Sequence, residues 1–205
     1  MSTTAPARRP RRDAAANRAG ILSAAATTLA HDPHASIDTI ARAAGLTRRA
    51  LYGHFDDRDA LLRELIDAGA PRFNAIADAV DGTDPAPLAL ARLTDRLWTE
   101  AAHVQVAAAL ALDETHVEWT AAALAPLRRT VAELVRRGQA DGMLRTDVAG
   151  PTVARLIEET ARVVVTRLDA SSPDARLLAV RAVLSIAGLS WREADAVLLS
   201  LDTEP

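Results

Sequence analysis

Residues 36–55 read SIDTIARAAGLTRRALYGHF, and this stretch predicts two short helices joined by a tight turn. Ser36 and Thr47 can each cap a helix, because a hydroxyl accepts a hydrogen bond from a free backbone N–H of the first turn. Gly45 should end the first helix, since glycine adopts the left-handed conformation without a Cβ penalty. The segment therefore reads as helix, turn and helix.

The two helices are predicted to be apolar on one side and polar on the other. Apolar residues recur at helical spacing on the inner side: Ile37, Ile40, Ala41, Ala44, Leu51 and Phe55. The outer side and end of the second helix carry Arg48, Arg49, Tyr52 and His54. Such a pair, with a basic and hydroxyl-bearing outer face, is typical of a DNA-binding helix-turn-helix motif, whose second helix enters the major groove.

The outer residues leave alternatives open. Arg48 and Arg49 could each fork onto guanine O6 and N7, or clamp phosphate. Tyr52 could instead be a core tyrosine with its hydroxyl at the rim. His54 could instead hydrogen-bond the last carbonyls of the helix.

The same stretch resembles the DNA-binding domain of the TetR-type transcriptional regulators. Their pattern is close to IA..AG(V/L)(S/T)…LY.HF…..L, and this chain has the following residues in register: Ile40, Ala41, Ala44, Gly45, Leu46, Thr47, Leu51, Tyr52, His54, Phe55 and Leu61. The most specific part is Leu-Tyr-x-His-Phe, six residues after Gly45. Gly53 departs from the family, which often has an aromatic or basic residue there, and this implies one contact fewer.

The resemblance implies a role at DNA for seven residues. Six would contact the phosphate backbone: Ser36, Thr47, Arg48, Tyr52, His54 and Arg58. Arg49 matches the position that reaches into the groove. The partner implied is double-stranded operator DNA.

Composition and charge agree with a DNA-binding part on a non-DNA-binding remainder. Residues 1–63 contain 10 arginines against 6 aspartates, a net charge of +4, whereas residues 64–205 have a net charge of −7. The absence of cysteine excludes disulfides and thiolate metal sites. No apolar run approaches the ~20 residues of a membrane span, and no apolar stretch follows the N-terminal arginines. We therefore expect a cytoplasmic protein that does not contact the membrane.

The apolar periodicity predicts an all-α chain in three parts. Residues 1–13 hold four arginines between prolines and are either a disordered, solubilising tail or a basic arm that follows the minor groove or phosphates. Residues 14–68 form the helix-turn-helix head, with a first helix at 14–31 and a last helix that stops near Ala68, before Gly69 and Pro71. Residues 69–205 form a helical effector-binding and dimerisation domain, the body. Its predicted helices are 86–102, 104–113, 117–140, 150–169, 173–187 and 191–200.

Two body helices, 150–169 and 173–187, carry long apolar stripes. The stripes are Val153, Leu156, Ile157, Thr160, Val164 and Leu168 on one helix, and Leu177, Val180, Leu184 and Ala187 on the other. In TetR-type regulators this pair meets its copy in a four-helix dimer bundle. The resemblance therefore implies a homodimer sealed by residues 150–187.

The resemblance also implies a mostly apolar pocket for a small organic effector in the body. The candidate lining residues are Trp98, His103, Leu110, His116, Trp119 and Arg162. For each of them, ordinary core packing or surface exposure is the alternative.

Other functions have little support in the sequence. Asp113 and His116 share a helix face, which is half of a bundle di-iron site, but a second acid-x-x-His pair is missing. No phosphate loop or nucleophile motif is present, so no catalytic residue, metal or cofactor is expected. The sequence thus predicts a one-component, homodimeric regulator of transcription, more a repressor than an activator. The alternatives are a DNA-binding regulator without an effector and, more remotely, a helical-bundle metalloprotein or enzyme. The operator, the regulated genes and the effector are not encoded in any motif.

Overall fold

The computed structural model describes residues 9–201, and all regular structure in that range is helical. The helices are α1 (Arg9–His31), α2 (Ile37–Ala43), α3 (Arg48–Tyr52), α4 (Arg58–Asp78), α5 (Ala86–His103), α6 (Gln105–Ala111), α7 (Val117–Ala123), α8 (Ala125–Ala140), α9 (Gly150–Arg167), α10 (Ala175–Ile186) and α11 (Trp191–Leu201). The predicted all-α class is confirmed. The chain divides between Ile66 and Asp67 into two compact units, the head and the body.

The head has its own apolar core. It contains α1, α2, α3 and the first turns of α4, and its largest fully buried side chains are Ile21, Leu29, Ile40, Leu51 and Leu61. The inner faces predicted for α2 and α3 are therefore confirmed, except that Ala44 is only half-buried. Burial of about five large apolar side chains contributes on the order of 1.5–3 kcal/mol each.

The first helix begins earlier than its predicted start at residue 14. α1 starts at Arg9, so residues 9–13 of the predicted arm have helical backbone. Residues 1–8, which hold the rest of the predicted arm, lie outside the described residues. The alanines that follow Asp13 favour helix. Pro10 lies in the first turn of α1, where its missing N–H is not needed by the helix.

The helix predicted to stop near Ala68 continues through Gly69 and Pro71 as α4. An interior proline costs about 3 kcal/mol because it removes one backbone hydrogen bond and crowds the preceding turn. Tertiary packing offsets that cost, since Ala70 and Ala77 are buried and Ile76 packs against the core of the body. The stop signal in the sequence is therefore overridden by burial.

The body is organised around α5, which packs against α8, α9, α10 and α11. The largest fully buried side chains of its core are Leu90, Val135, Val153, Val180, Val183 and Leu184. None of the helices within residues 9–201 is both long enough and apolar enough to cross a bilayer.

The single helix predicted at 117–140 is divided into α7 and α8 at Leu124. Pro126 lies in the first turn of α8, where its missing N–H is not needed by the helix. Asn74 binds both sides of the break: its Nδ2 donates to the carbonyl of Ala123 at 3.0 Å, and its Oδ1 accepts from Leu127 N–H at 3.3 Å. A side chain of α4 thus satisfies backbone groups that the break leaves open.

The apolar stripes predicted to seal a dimer lie mostly inside the body. Val153, Ile157, Val180 and Leu184 are at most 4% exposed and belong to the core of the same chain. A contact between two copies would therefore have to use the outer faces of these helices, and the homodimer through residues 150–187 stays a prediction. A helix with two apolar faces gives one continuous pattern, and only packing decides which face turns inward.

Candidate nucleic-acid interface

The turn between α2 and α3 has the geometry that its sequence predicts. The Ser36 hydroxyl accepts from Thr39 N–H at 3.2 Å and caps α2. Gly45 has φ +70°, and its N–H donates to the carbonyl of Arg42 at 3.0 Å. Leu46 N–H donates to the carbonyl of Ala41 at 2.8 Å, which completes the glycine-dependent end of α2.

Helix α3 is short, and its two sides differ as predicted. Thr47 caps it by accepting from Ala50 N–H at 3.2 Å. Leu51 and Phe55 are buried in the head, whereas Arg48, Arg49 and Tyr52 are exposed. The exposed side can therefore offer two cations and a phenol to a groove or to phosphates.

Arg48 is held in place by an intramolecular network. Its guanidinium lies 3.2 Å from the carboxylate of Asp38 on α2 and 5.4 Å from the centre of the Tyr52 ring. Hydrogen bonding to Tyr52 and the attraction of Asp38 raise the pKa of Arg48 above its ordinary value. The network orders two exposed side chains before any contact with a partner, which lowers the entropy cost of binding.

Arg49 differs from its neighbour. It is exposed, and no hydrogen bond or ion pair of its side chain occurs among residues 9–201. All five N–H donors of its guanidinium remain available. An arginine with a free fork suits bidentate recognition of guanine or phosphate.

Arg58 and His54 have contacts inside the head that their predicted roles did not include. Arg58 Nη2 donates to the carbonyl of Pro33 at 2.7 Å, so the start of α4 is joined to the loop before α2. His54 is half-buried, and its carbonyl accepts from Arg18 Nη1 at 2.7 Å. Both side chains remain partly accessible, and their roles at DNA stay predictions.

Two polar residues of the head were given no side-chain role by the sequence reasoning. These two residues are Asp38 and Arg18. Both contacts join residues far apart in the chain: 10 positions for Asp38 and Arg48, and 46 for Arg18 and Glu64. A local pattern carries no signal for such pairs.

The six candidate effector residues of the body do not share one environment. Trp98 is buried beside Val164, Ala175 and Ala179, as ordinary packing predicts. Trp119 is 44% exposed, and its indole N–H donates to Asp67 at 3.1 Å. The side chain of His103 lies outside the described part of the structure.

The other candidates are also occupied by local contacts. Arg162 forms an ion pair with Glu159 at 2.9 Å, and Leu110 is half-buried. His116 is buried, and its Nδ1 lies 2.8 Å from the carboxylate of Asp113. None of these contacts tests the predicted effector pocket, which therefore stays a prediction.

The Asp113–His116 pair, which resembles half of a metal site, forms a capped turn. The Asp113 carboxylate accepts from the N–H groups of Thr115 and His116, both at 2.9 Å. In the described part of the chain, no three His, Asp or Glu side chains lie close enough together to hold a metal ion. The i, i+3 spacing is therefore explained by the turn.

A comparison with protein families matches residues 21–65 to the model of the bacterial regulatory proteins, tetR family. The matched range contains the capped helix pair, Arg49 and Arg58. No curated protein matches the chain significantly by sequence. The resemblance to TetR-type regulators is confirmed by the family model over the head.

Solved structures of transcriptional regulators, TetR-family members among them, share this fold. The TetR-family regulator PfmR from Thermus thermophilus is 22% identical, with a TM-score of 0.66 over 83% of this chain and 98% of its own. FadR from Bacillus subtilis, solved with stearoyl-CoA, is 15% identical, with a TM-score of 0.68 over 83% and 97%. RolR, solved with resorcinol, is 14% identical, with a TM-score of 0.63 over 95% and 97%. At these identities the likeness concerns the fold.

Proposed function

Because this chain is a transcriptional regulator with a TetR-type DNA-binding head, we propose that it binds a pseudo-palindromic operator as a homodimer. Bound there, it represses transcription until a small organic effector binds its body. The proposal places the protein in the cytoplasm, where the DNA is. The observation that carries the proposal is the outer face of α3. It presents Arg49, whose guanidinium has no partner within residues 9–201, beside Arg48, which pairs with Asp38 and lies near the Tyr52 ring.

The division of work on this face follows from the contacts. Arg48 forms an ion pair with Asp38, and its guanidinium lies near the Tyr52 ring. Arg48 and Tyr52 therefore suit the phosphate backbone, where position matters more than base identity. Arg49 has no such constraint and can fork onto guanine O6 and N7. Arg49 is therefore the proposed base-reading residue, and Ser36, Thr47, Arg48, Tyr52, His54 and Arg58 are the proposed backbone contacts.

Selection of genomic DNA fragments by the purified protein tests this assignment. The wild type should enrich one pseudo-palindromic site. Arg49→Ala should weaken binding to that site by about 1–3 kcal/mol and relax its sequence preference. Arg136→Ala removes the same charge from an exposed position of the body and serves as the control. If the wild type enriches no site, the operator proposal is refuted.

The dimer is proposed to form through the outer faces of α9 and α10. Leu156 and Val163 on α9 are 42% and 50% exposed, and Leu178 on α10 is 46% exposed. These three large apolar side chains lie on two helices that pack against each other. Isologous pairing would bury them against their copies, and twofold dimers are the commonest closed assemblies.

Sedimentation of two charge variants tests the surface. Leu156→Glu places a charge on the proposed seam, whereas Met143→Glu places the same charge at a 49% exposed position in the turn after α8. The first variant should sediment as a monomer and the second like the wild type. A dimer that survives Leu156→Glu would have its surface elsewhere.

The effector proposal rests on the family and on the make-up of the body. FadR from Bacillus subtilis was solved with stearoyl-CoA and RolR with resorcinol, so this fold holds small organic molecules in those proteins. In this chain the proposed lining residues are Trp98, His103, Leu110, His116, Trp119 and Arg162. The two tryptophans and two histidines give an apolar site a few polar groups for orientation.

Tryptophan fluorescence with a panel of fatty acyl thioesters and phenols tests for an effector. A compound that binds near Trp98 or Trp119 should change the emission, and Trp98→Phe and Trp119→Phe identify which indole reports. The same compound should weaken operator binding roughly 5–150-fold if it prefers the DNA-free state by about 1–3 kcal/mol. Saturation without a change in operator affinity would mean zero coupling and would favour a regulator without an effector.

A further inference from the structure

Arg18 on α1 connects three parts of the head. Its Nε donates to Glu64 Oε1 on α4 at 2.6 Å, and its Nη2 donates to Glu64 Oε2. Its Nη1 donates to the carbonyl of His54, just after α3, at 2.7 Å. The guanidinium lies 4.5 Å from the centre of the Phe55 ring. Each of its three nitrogens is therefore used inside the head.

The contact with His54 matters because α3 has only five residues. Isolated helices shorter than ~12–15 residues are marginal in water, so surrounding contacts must fix the direction of α3. Thr47 anchors its N-terminal end. At the other end, Leu51 and Phe55 supply apolar packing, which is not directional.

The Arg18 hydrogen bond supplies direction at that second end. It binds a carbonyl two positions after Tyr52, where the helix itself offers no further N–H partner. The two hydrogen bonds to the Glu64 carboxylate hold the guanidinium in one orientation, since paired N–H···O bonds add geometric specificity. Hydrogen bonding to Glu64 also raises the pKa of Arg18 above its ordinary value.

We infer that Arg18 is a positioning residue for DNA binding: it fixes the C-terminal end of α3, and with it Tyr52 and His54, against α1 and α4. The inference rests on the proposed function, because it assigns the orientation of the proposed recognition helix. Arg18 acts through His54 and Phe55 rather than through a contact of its own with DNA.

Binding measurements over a range of salt concentrations separate positioning from direct contact. Because α3 has only five residues, a shift of its C-terminal end also moves Arg49. Arg18→Ala should therefore weaken binding to the selected operator by roughly 5–150-fold, the factor that corresponds to one misplaced base contact. Binding to unrelated duplex should fall less, and the slope of log K against log salt should not change. A slope smaller by about 0.9 would mean that Arg18 touches a phosphate, and would overturn the inference.

Arg136→Ala is the matched control. Arg136 also forks onto a glutamate, Glu133, with distances of 2.8 and 2.6 Å, but on the surface of the body. It should bind operator within about twofold of the wild type, since one lost surface pair has little effect. Arg18→Lys keeps the charge and the aliphatic stem but cannot hold the fork and the carbonyl together, so it should lie between Arg18→Ala and the wild type. Operator affinity of Arg18→Ala equal to that of the wild type would also overturn the inference.

Hydrogen exchange on the full chain gives a readout that does not need the operator. In Arg18→Ala, the amides of Gly53, His54 and Phe55 should exchange at least about tenfold faster, whereas those of Ile40 in α2 and of its C-cap Ala44 should not change. Equal acceleration throughout the head would mean general stabilisation and would overturn the inference. If the wild type selects no DNA site, the proposed function fails, but the exchange pattern still decides whether Arg18 holds the end of α3.

Discussion

The head and the body are each stabilised by a different kind of internal contact. In the head, short helices are fixed by directional polar groups: the hydroxyl caps of Ser36 and Thr47, the turn at Gly45, and two arginines that donate to backbone carbonyls. In the body, long helices surround α5 and bury a larger set of apolar side chains. The orientation of α3 thus depends on single polar groups, and the stability of the body on packing.

This difference fits the two tasks proposed for the molecule. A recognition helix needs its side chains held within about 0.5 Å of the geometry that allows contact, and directional bonds can ensure this. A body that takes up an effector needs packed helices that can shift between arrangements. The comparison predicts that substitutions will act by different routes in the two units.

The largest expected effect is in the core of the body. Leu184→Ala should lower the free energy of unfolding by about 2–5 kcal/mol, because the leucine is 0% exposed and its loss leaves a cavity. Leu199→Ala, at a position that is 70% exposed, should change it by less than about 0.5 kcal/mol. Urea unfolding followed by the emission of buried Trp98 measures both. Similar losses for the two variants would contradict the description of the body as packing-dependent.

A smaller effect is expected at the turn of the head. Gly45→Ala should lower stability by about 1–2 kcal/mol, because φ +70° is unfavourable for a residue with Cβ. Beyond the adjacent backbone, no atom lies within 4 Å of the position that a Cβ would occupy at Gly45 or at Gly20, so crowding is not involved. Gly20→Ala in the middle of α1 should therefore raise stability by about 0.5–1 kcal/mol. Thermal unfolding of the two variants measures both changes in stability. Changes of the same sign would refute the role given to the turn.

The smallest expected effect is a pH dependence of the stability that a helix cap contributes. The Ser190 cap in the body should show it, and the matching Ser36 cap in the head should not. Ser190 caps α11 and bonds the Glu193 carboxylate through its hydroxyl at 2.6 Å and its N–H at 2.7 Å. These bonds lower the pKa of Glu193 from its ordinary 4.5. The stabilisation is therefore present above that value and lost as pH falls through the folded pKa.

Glu193→Gln should accordingly lower Tm slightly at pH 7, and the difference from the wild type should shrink below about pH 4. The corresponding partner of Ser36 is Thr39, which does not titrate, so Thr39→Ala should give a Tm difference that does not vary over the same range. Thermal melts at several pH values measure both. A difference for Glu193→Gln that stays constant down to about pH 2 would show that its charge is irrelevant to the cap.

Local signals in the sequence predicted the head well. The caps at Ser36 and Thr47 and the turn at Gly45 were all expected from residue type and spacing, and the structure contains them. Each involves residues only a few positions apart. Such geometry depends on the backbone nearby and on one side chain, so it can be inferred from a short window.

Helix ends and faces in the body were predicted less well. Pro71 did not stop α4, because burial of Ala70 and Ala77 favours its continuation. The apolar stripes of α9 and α10 were detected, but within them Val153 and Leu184 turned inward while Leu156 turned outward. Periodicity identifies an apolar face and does not say what will cover it.

The sequence by itself determined the helical class, the capped helix pair and the basic outer face of α3, because these follow from contacts within a few residues. Only the tertiary structure decided that Asp38 holds Arg48 while Arg49 has no partner in the described part of the chain, and that Arg18 reaches His54 and Glu64. Those contacts join positions 10 to 46 residues apart. Their partners are chosen by how whole helices pack, and packing depends on the complete set of buried side chains rather than on any one segment.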